Sequence, residues 1–192
     1  MNKLIKFTYN KLIDKEIWQR YNNFINLNKS IWGRKIPNIK NIILINQIDF
    51  DINSEEITIA YDKIFKIPPF KMEGYIVTTP FSMINDDGIF SKEKGIIYYS
   101  IYNLFGYPPS VVIAHEIFHI YFEKYTERKI DNYDESKEYF TVILNDIFKN
   151  DVSKGYPEHH VVRDKILKEW QKTRSIDECI RIIDKKWKNE KL

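Results

Sequence analysis

The chain has little of what would build anything other than an ordinary packed domain. Only one of its 192 residues, Cys179, is a cysteine, which excludes an intramolecular disulfide framework and the cysteine-rich zinc sites. Six glycines and seven prolines form no low-complexity linker, and no internal repeat is visible. Charge of one sign is not in excess either. Thirty basic residues face 27 acidic ones for a net +3, and the two signs are interspersed along the chain. A nucleic-acid partner would call for a concentrated basic stripe. The densest cluster, Lys185, Lys186, Lys188 and Lys191, is diluted by Trp187 and Glu190 and reads as a solvated helix end, so no nucleic acid is expected. Long hydrophobic runs are missing too: nothing approaches the ~20 apolar residues of a membrane span, and no membrane partner is expected. Near the start, Asn10, Lys11, Asp14 and Lys15 interrupt the apolar residues before a signal-peptide core forms. With a lone cysteine, this points to a cytoplasmic location. Nothing in the composition sets an oligomeric state.

What is present is apolar and aromatic. Hydrophobic residues make up 43% of the chain, with 13 Tyr and 12 Phe, so intrinsic disorder is excluded and a well-packed core is expected. Ile13, Ile17, Tyr21 and Phe24 recur at helical spacing over roughly residues 8–28. Segments rich in β-branched and aromatic residues follow at Ile42–Ile48, Glu56–Tyr61, Tyr75–Thr79 and Ile96–Tyr102. Turn signals such as Pro68-Pro69, Pro80 and Asp86-Asp87-Gly88 separate them, and the pattern predicts three to five strands in one sheet. Residues 109–125, opened by Pro109, read as a helix buried on most sides. Asn132 with Glu135 signals a second helix running through Tyr139, Val142, Ile143 and Ile147. A third is expected near 158–172, and Ser175 with Glu178 opens a last one near 175–189. The expected fold class is α+β. Residues 1–192 read as a single domain with an N-terminal lobe 1–125 and a helical C-terminal lobe 126–192 around a cleft.

The chemistry is concentrated in residues 115–119, His-Glu-Ile-Phe-His, in the middle of the most apolar predicted helix. Histidines four apart stand one turn from each other on the same face, so His115 and His119 can converge on one ion. Glu116 beside the first can then reach a water on that ion. Two core histidines satisfied by ordinary hydrogen bonds would explain the pair without explaining the glutamate between them.

At this point the sequence resembles the zincin metallopeptidases. The metzincin extension needs Gly and His where Phe122 and Tyr125 stand, so the resemblance is to the gluzincin branch, which includes thermolysin and the large zinc aminopeptidases. That branch takes a glutamate from a second helix. Glu138, with residues 120–137 between it and His119, has the spacing of the aminopeptidase subgroup and is the implied third ligand of one zinc ion per chain. Asp131, Asp134 and Glu135 compete for that place. The likeness covers about thirty residues and departs from the family at two points. Val142 stands where thermolysin-like enzymes carry an Asp that orients a ligand histidine, leaving Asn145 or Asp146 as substitutes, and the aminopeptidase Gly-Ala-Met-Glu-Asn motif does not appear.

The resemblance implies a zincin-like fold, with the N-terminal helix and small mixed sheet packed on the active-site helix and a helical lobe after it. It also implies a peptidase acting on a peptide or protein substrate, in which a metal-activated water attacks the carbonyl and Glu116 is the general base. Gluzincins place a Tyr, His or Arg after the ligand helix to bind the oxyanion. Tyr156, His159 and His160, with Arg163 one turn onward, stand in that region, although two exposed histidines opening a polar helix would look the same. In zincins the strand before the active-site helix lies at the sheet edge and pairs with substrate. Ile96–Tyr102 holds that place in order and could equally be an ordinary core strand. Peptide deformylase shares the motif but takes a cysteine from upstream, and Cys179 lies far downstream. The alternative from another class is a latent zincin-like binding or regulatory module with a structural zinc, which would have no use for Glu116.

Overall fold

The computed structural model describes residues 5, 7–27, 54–79, 82–84, 94–101, 107–149, 153 and 155–187. Their fold is α+β, with one small mixed sheet and a mostly helical remainder. The chain divides into two compact units, Met1–Glu55 with Phe70–Glu116, and Glu56–Pro69 with Ile117–Leu192. The expected strand at 42–48 and the turn at 86–88 lie outside the described residues.

The first unit holds β1 (Phe7–Tyr9), α1 (Lys11–Leu27), β2 (Lys71–Val77), β3 (Met83–Ile84) and β4 (Lys94–Ser100). The side chain of Asn10 accepts from the backbone of Leu12 at 2.9 Å and of Ile13 at 3.4 Å, giving α1 a capped start. The face carrying Ile13 and Ile17 packs on Val77 and Tyr98. Buried Asp14, on the same helix, accepts from the Thr78 backbone at 2.7 Å and from its hydroxyl at 2.8 Å, while the Trp18 indole donates to that hydroxyl at 2.8 Å. Those bonds take up Thr78 just beyond the end of β2.

The strand order is β1-β2-β4-β3. β2 runs parallel to β4 from Lys71↔Lys94 to Val77↔Ser100, and β1 runs parallel to β2 with Phe7 opposite Gly74. Gly74 has a steric cause, since a Cβ there would stand 2.5 Å from the Phe7 ring. β3 pairs antiparallel to β4 at Met83↔Tyr98 and Ile84↔Ile97. The strand expected at the sheet edge is therefore interior. β2 covers one side of it, and on the other Met83 and Ile84 fold back while the Ser82 hydroxyl accepts from the Ser100 backbone at 2.9 Å.

The second unit is helical. It takes α2 (Ser54–Phe65) from Glu56 onward and α3 (Pro109–Thr126) from Ile117 onward. It also holds α4 (Tyr133–Phe140), α5 (Ile143–Ile147), a 3-10 turn Pro157–His159, α6 (His160–Thr173) and α7 (Ile176–Ile183). Residues 56–61, expected as a strand, are helical. Ile57, Tyr61 and Phe65 recur every four residues and are all buried, so tertiary burial overrides the local β preference of Ile-Thr-Ile. Tyr61 lies 5.7 Å from Phe118 and 5.4 Å from Tyr121 between ring centroids, and Phe65 lies 5.4 Å from Phe118. The Tyr121 hydroxyl donates to Asp62 at 2.7 Å.

The helix expected from Asn132 to Ile147 is two. Asn132 is left-handed (φ 49°) and its side chain makes no cap bond, so the expected capping box does not form there; the Glu135 carboxylate accepts from Tyr139 instead. At Ser175 the first half of the box forms, the hydroxyl accepting from the Glu178 backbone at 3.4 Å, while the Glu178 carboxylate pairs with Arg181. Cys179 is buried on α7, its thiol 3.7 Å from the Ile166 carbonyl, and burial pushes that thiol's pKa up to about 12. No helix among the described residues is long and apolar enough to cross a membrane.

Candidate metal centre

α3 forms because its eighteen residues offer no interior breaker and Pro109 sits in the first turn, where a missing N–H costs nothing. Its apolar residues are buried on nearly all sides, Ile113, Ile117, Phe118, Tyr121 and Phe122 completely so. His115, Glu116 and His119 therefore sit on a helix fixed in rotation and in register. His119 is 3% exposed and Glu116 8%, while His115 is half-buried. With about 100° per residue, His119 lies roughly 40° around the helix from His115, and Glu116 borders the same face.

Glu138 comes from α4. Its Oε1 lies 3.2 Å from the Nε2 of His119, and one ligand atom from each of His115, His119 and Glu138 lies within 4.8 Å of the others. The donor set fits zinc, because two donors about 2.0–2.1 Å from a tetrahedral ion stand about 3.3 Å apart. The competing carboxylates are directed elsewhere. Asp131, Asp134 and Glu135 are exposed, Asp134 pairs with Lys137 at 3.4 Å, and Glu135 accepts from Tyr139 at 2.8 Å. Among the described residues, none of the three joins the group.

The backbone at Glu138 explains why α4 stops where it does. In a continuing helix its carbonyl would accept from Val142, but the Val142 N–H turns to Tyr139 at 3.3 Å. The freed carbonyl accepts instead from the Thr141 hydroxyl at 2.8 Å and from the Arg163 guanidinium at 2.7 Å. Arg163 is 2% exposed and also donates to the Thr141 hydroxyl at 2.9 Å, the Ser153 carbonyl at 2.8 Å and the Ser153 hydroxyl at 3.2 Å. The Thr141 and Ser153 hydroxyls are themselves 2.8 Å apart, which closes the cluster. Burial pushes the guanidinium pKa down, and the Glu138 and Asp164 carboxylates oppose that shift. Gly155 (φ +67°) packs over the group, where a Cβ would stand 2.5 Å from the Arg163 Nε. Sequence reasoning placed Arg163 only as a neighbour of the histidine pair. Gly155 at a break before an arginine-bearing helix was the one local signal of this cluster.

Asn145 and Asp146, expected as partners for a ligand histidine, are used otherwise. Asn145 exchanges hydrogen bonds with the Ser153 backbone at 2.8 and 3.0 Å. Asp146 accepts from the Trp170 indole at 3.0 Å and pairs with Arg174. Of the residues after the ligand helix, Tyr156 is half-exposed and His160 exposed in the first turn of α6. The ring of His159 stands edge-on to Tyr139, the neighbour of Glu138, at 4.6 Å and to Tyr156 at 5.2 Å. Its buried Nδ1 has no hydrogen-bond partner among the described residues. Neither His159 nor His160 joins the His/His/Glu group, whose members among the described residues are His115, His119 and Glu138.

A family model described as "Putative zinc dependent peptidase (DUF5700)" matches residues 44–149, more than half of the chain, including both histidines and Glu138. No curated protein and no solved structure matches.

Proposed function

The chain belongs to that zinc-dependent peptidase family, and from this premise we propose that it is a peptidase of gluzincin type, with His115, His119 and Glu138 as the ligands of one zinc and Glu116 as general base. The observation that carries the reading is the convergence of the two histidines and Glu138 within 4.8 Å, with Glu116 one residue beyond the first ligand on the same helix. Two imidazoles and one carboxylate are the ligand set of catalytic rather than structural zinc sites, which keep an open position. Zinc, when bound, supplies a Lewis acid that polarises a carbonyl oxygen and brings the pKa of water down to about 7.

The rest falls to the chain's own residues. His115 and His119 are held by the packing of α3, so the donor pair is preorganised before any ligand arrives. Glu116 Oε takes the proton of the attacking water and delivers it to the leaving amine nitrogen. Burial of Glu116 shields that exchange from bulk solvent. Of Tyr156, His159 and His160, His159 is the one we assign to the developing oxyanion, because it alone is not exposed and its buried Nδ1 has no hydrogen-bond partner among the described residues. His159→Phe, which keeps a ring but removes its N–H donor, should then lower kcat by about 10²-fold with zinc content unchanged; an unaltered kcat removes His159 from the mechanism. The peptide or protein substrate, the third ligand and the base remain parts of one proposal and stand or fall on the variants.

Glu116→Gln tests it. The substitution keeps side-chain shape and removes basicity, so one zinc per chain should be retained while turnover of a peptide mixture falls by about 10²–10⁴-fold, in kcat more than in KM. Loss of zinc in that variant would make Glu116 a ligand or a structural support of the site. A zinc-loaded wild type that hydrolyses no peptide library would transfer the site to the latent-module reading.

A further inference from the structure

We propose that Arg163 is a positioning residue for Glu138: its buried guanidinium takes the carbonyl that α4 gives up, and so fixes the turn from which the Glu138 carboxylate reaches His119. The inference rests on the metal reading above. Its physical ground is that α4 is short and mostly polar, with only Ser136 and Phe140 buried, so packing alone holds it weakly. Glu138 lies in its last turn, where helices fray because their carbonyls lose intrahelical partners. A guanidinium presents several donors in one rigid plane. Here one nitrogen binds the Glu138 carbonyl and the Thr141 hydroxyl, and the other binds the Ser153 carbonyl and hydroxyl. Lysine, with a single ammonium, cannot span both ends of that arrangement.

The cluster is oriented by its neighbours as well as by its charge. Thr141 reinforces the same carbonyl, and Gly155 leaves room for the guanidinium where any Cβ would collide with it. All of these bonds lie within the second unit, and none touches the carboxylate directly. Arg163 acts through the backbone of a ligand, not as a ligand. Releasing that backbone frees the φ and ψ angles of Glu138 before metal can bind, and groups that orient metal ligands typically matter about 10- to 100-fold in affinity.

The test is zinc affinity of the full chain by competition with a chromophoric chelator, read beside the melting temperature of the metal-free protein. Arg163→Lys should weaken zinc binding by about 10- to 100-fold. The same change made on a Glu138→Ala background should cost nothing further, because the ligand it positions is already gone. Asp146→Asn is the control: it removes the charge that pairs with Arg174 and weakens the bond from Trp170, in the same unit, without touching the Glu138 carbonyl, and should leave zinc affinity as it was. Arg163→Lys within about threefold of wild type, an equal loss on the Glu138→Ala background, or a loss in Asp146→Asn as large as in Arg163→Lys each overturns the inference. If Arg163→Lys does not fold, Gly155→Ala displaces the guanidinium without removing it and should weaken zinc binding in the same direction; wild-type affinity there overturns the inference too. A wild type that binds no zinc removes the parent reading, whereas a zinc-binding wild type with an indifferent Arg163→Lys removes this inference alone.

Discussion

The two helices that carry the proposed ligands are held by opposite means. α3 is eighteen residues long and packed on nearly all sides by aromatic and branched side chains, so its histidines inherit their places from non-directional burial. α4 is eight residues long and mostly polar, and its end is defined by five directional bonds around one buried arginine. Packing tolerates small changes and fails through volume. A polar cluster is indifferent to volume and fails when one donor is removed. The proposed site thus joins a histidine pair secured by the core to a glutamate secured by hydrogen bonds.

The largest break in that contrast should come from Phe118→Ala. Phe118 is fully buried between Tyr61, Phe65 and Phe122, and emptying such a site costs about 3–5 kcal/mol. For a chain of this size the melting temperature should fall on the order of 10 °C. A loss below about 1 kcal/mol would mean that packing does not hold α3.

Thr141→Val should sharpen the contrast from the other side. Shape is nearly kept, while the Glu138 carbonyl loses one of its two side-chain donors and the Ser153 hydroxyl loses a partner. The stability cost should be about 1–2 kcal/mol. Zinc affinity measured by chelator competition should nevertheless fall more, per unit of lost stability, than in Phe118→Ala. If the two variants fall on one line of affinity against stability, the distinction between the helices has no functional content.

The smallest effect is expected from Asp146→Asn and depends on pH. Burial raises the Asp146 carboxyl, but hydrogen bonds from Arg174, Trp170 and Gln171 with the Arg174 charge outweigh it and hold the pKa below the usual aspartate value of 3.8. A depressed folded pKa contributes stability that is present above the unfolded value and is lost as pH falls through the folded one. Arg174 is largely exposed, so solvent screens the pair and the difference between wild type and Asp146→Asn should be only about 1 kcal/mol near pH 7. It should shrink as pH falls below 3.8, which thermal melts across that range would read. A gap that grows on acidification would mean that the folded protein raises this carboxyl's pKa instead of lowering it.

Legibility in the sequence followed the same division. The helix of α3 and the pairing of its histidines are local: apolar residues run unbroken and His115 and His119 are four apart, so period and spacing sufficed. Glu138 was reachable only by resemblance, because neighbouring Asp134 and Glu135 look equally able to bind until the fold exposes them. The sheet was partly legible. Its β2 and β4 segments read correctly as strands, but the back-folding of Met83 and Ile84 that makes β4 interior involves two residues and leaves no periodic trace. α2 was misread because Ile57-Thr58-Ile59 favours strand locally, although Ile57, Tyr61 and Phe65 at four-residue spacing carried the opposing signal. The break between α4 and α5 was invisible, since its cause is an arginine 25 residues beyond Glu138 in the chain.

The burial of Cys179 has a practical consequence for spectroscopy. A thiol that is enclosed and held in its protonated form reacts far more slowly with maleimides or thiosulfonates than an exposed one does. The unmodified chain is therefore already a silent background for site-directed labelling. A cysteine placed at Leu12, 78% exposed on the first unit, or at Val161, 67% exposed on the second, would be the single site taken by a fluorophore or nitroxide. The pair together would turn the separation of the two units into a measurable distance, with and without metal, in a protein whose own cysteine never has to be removed.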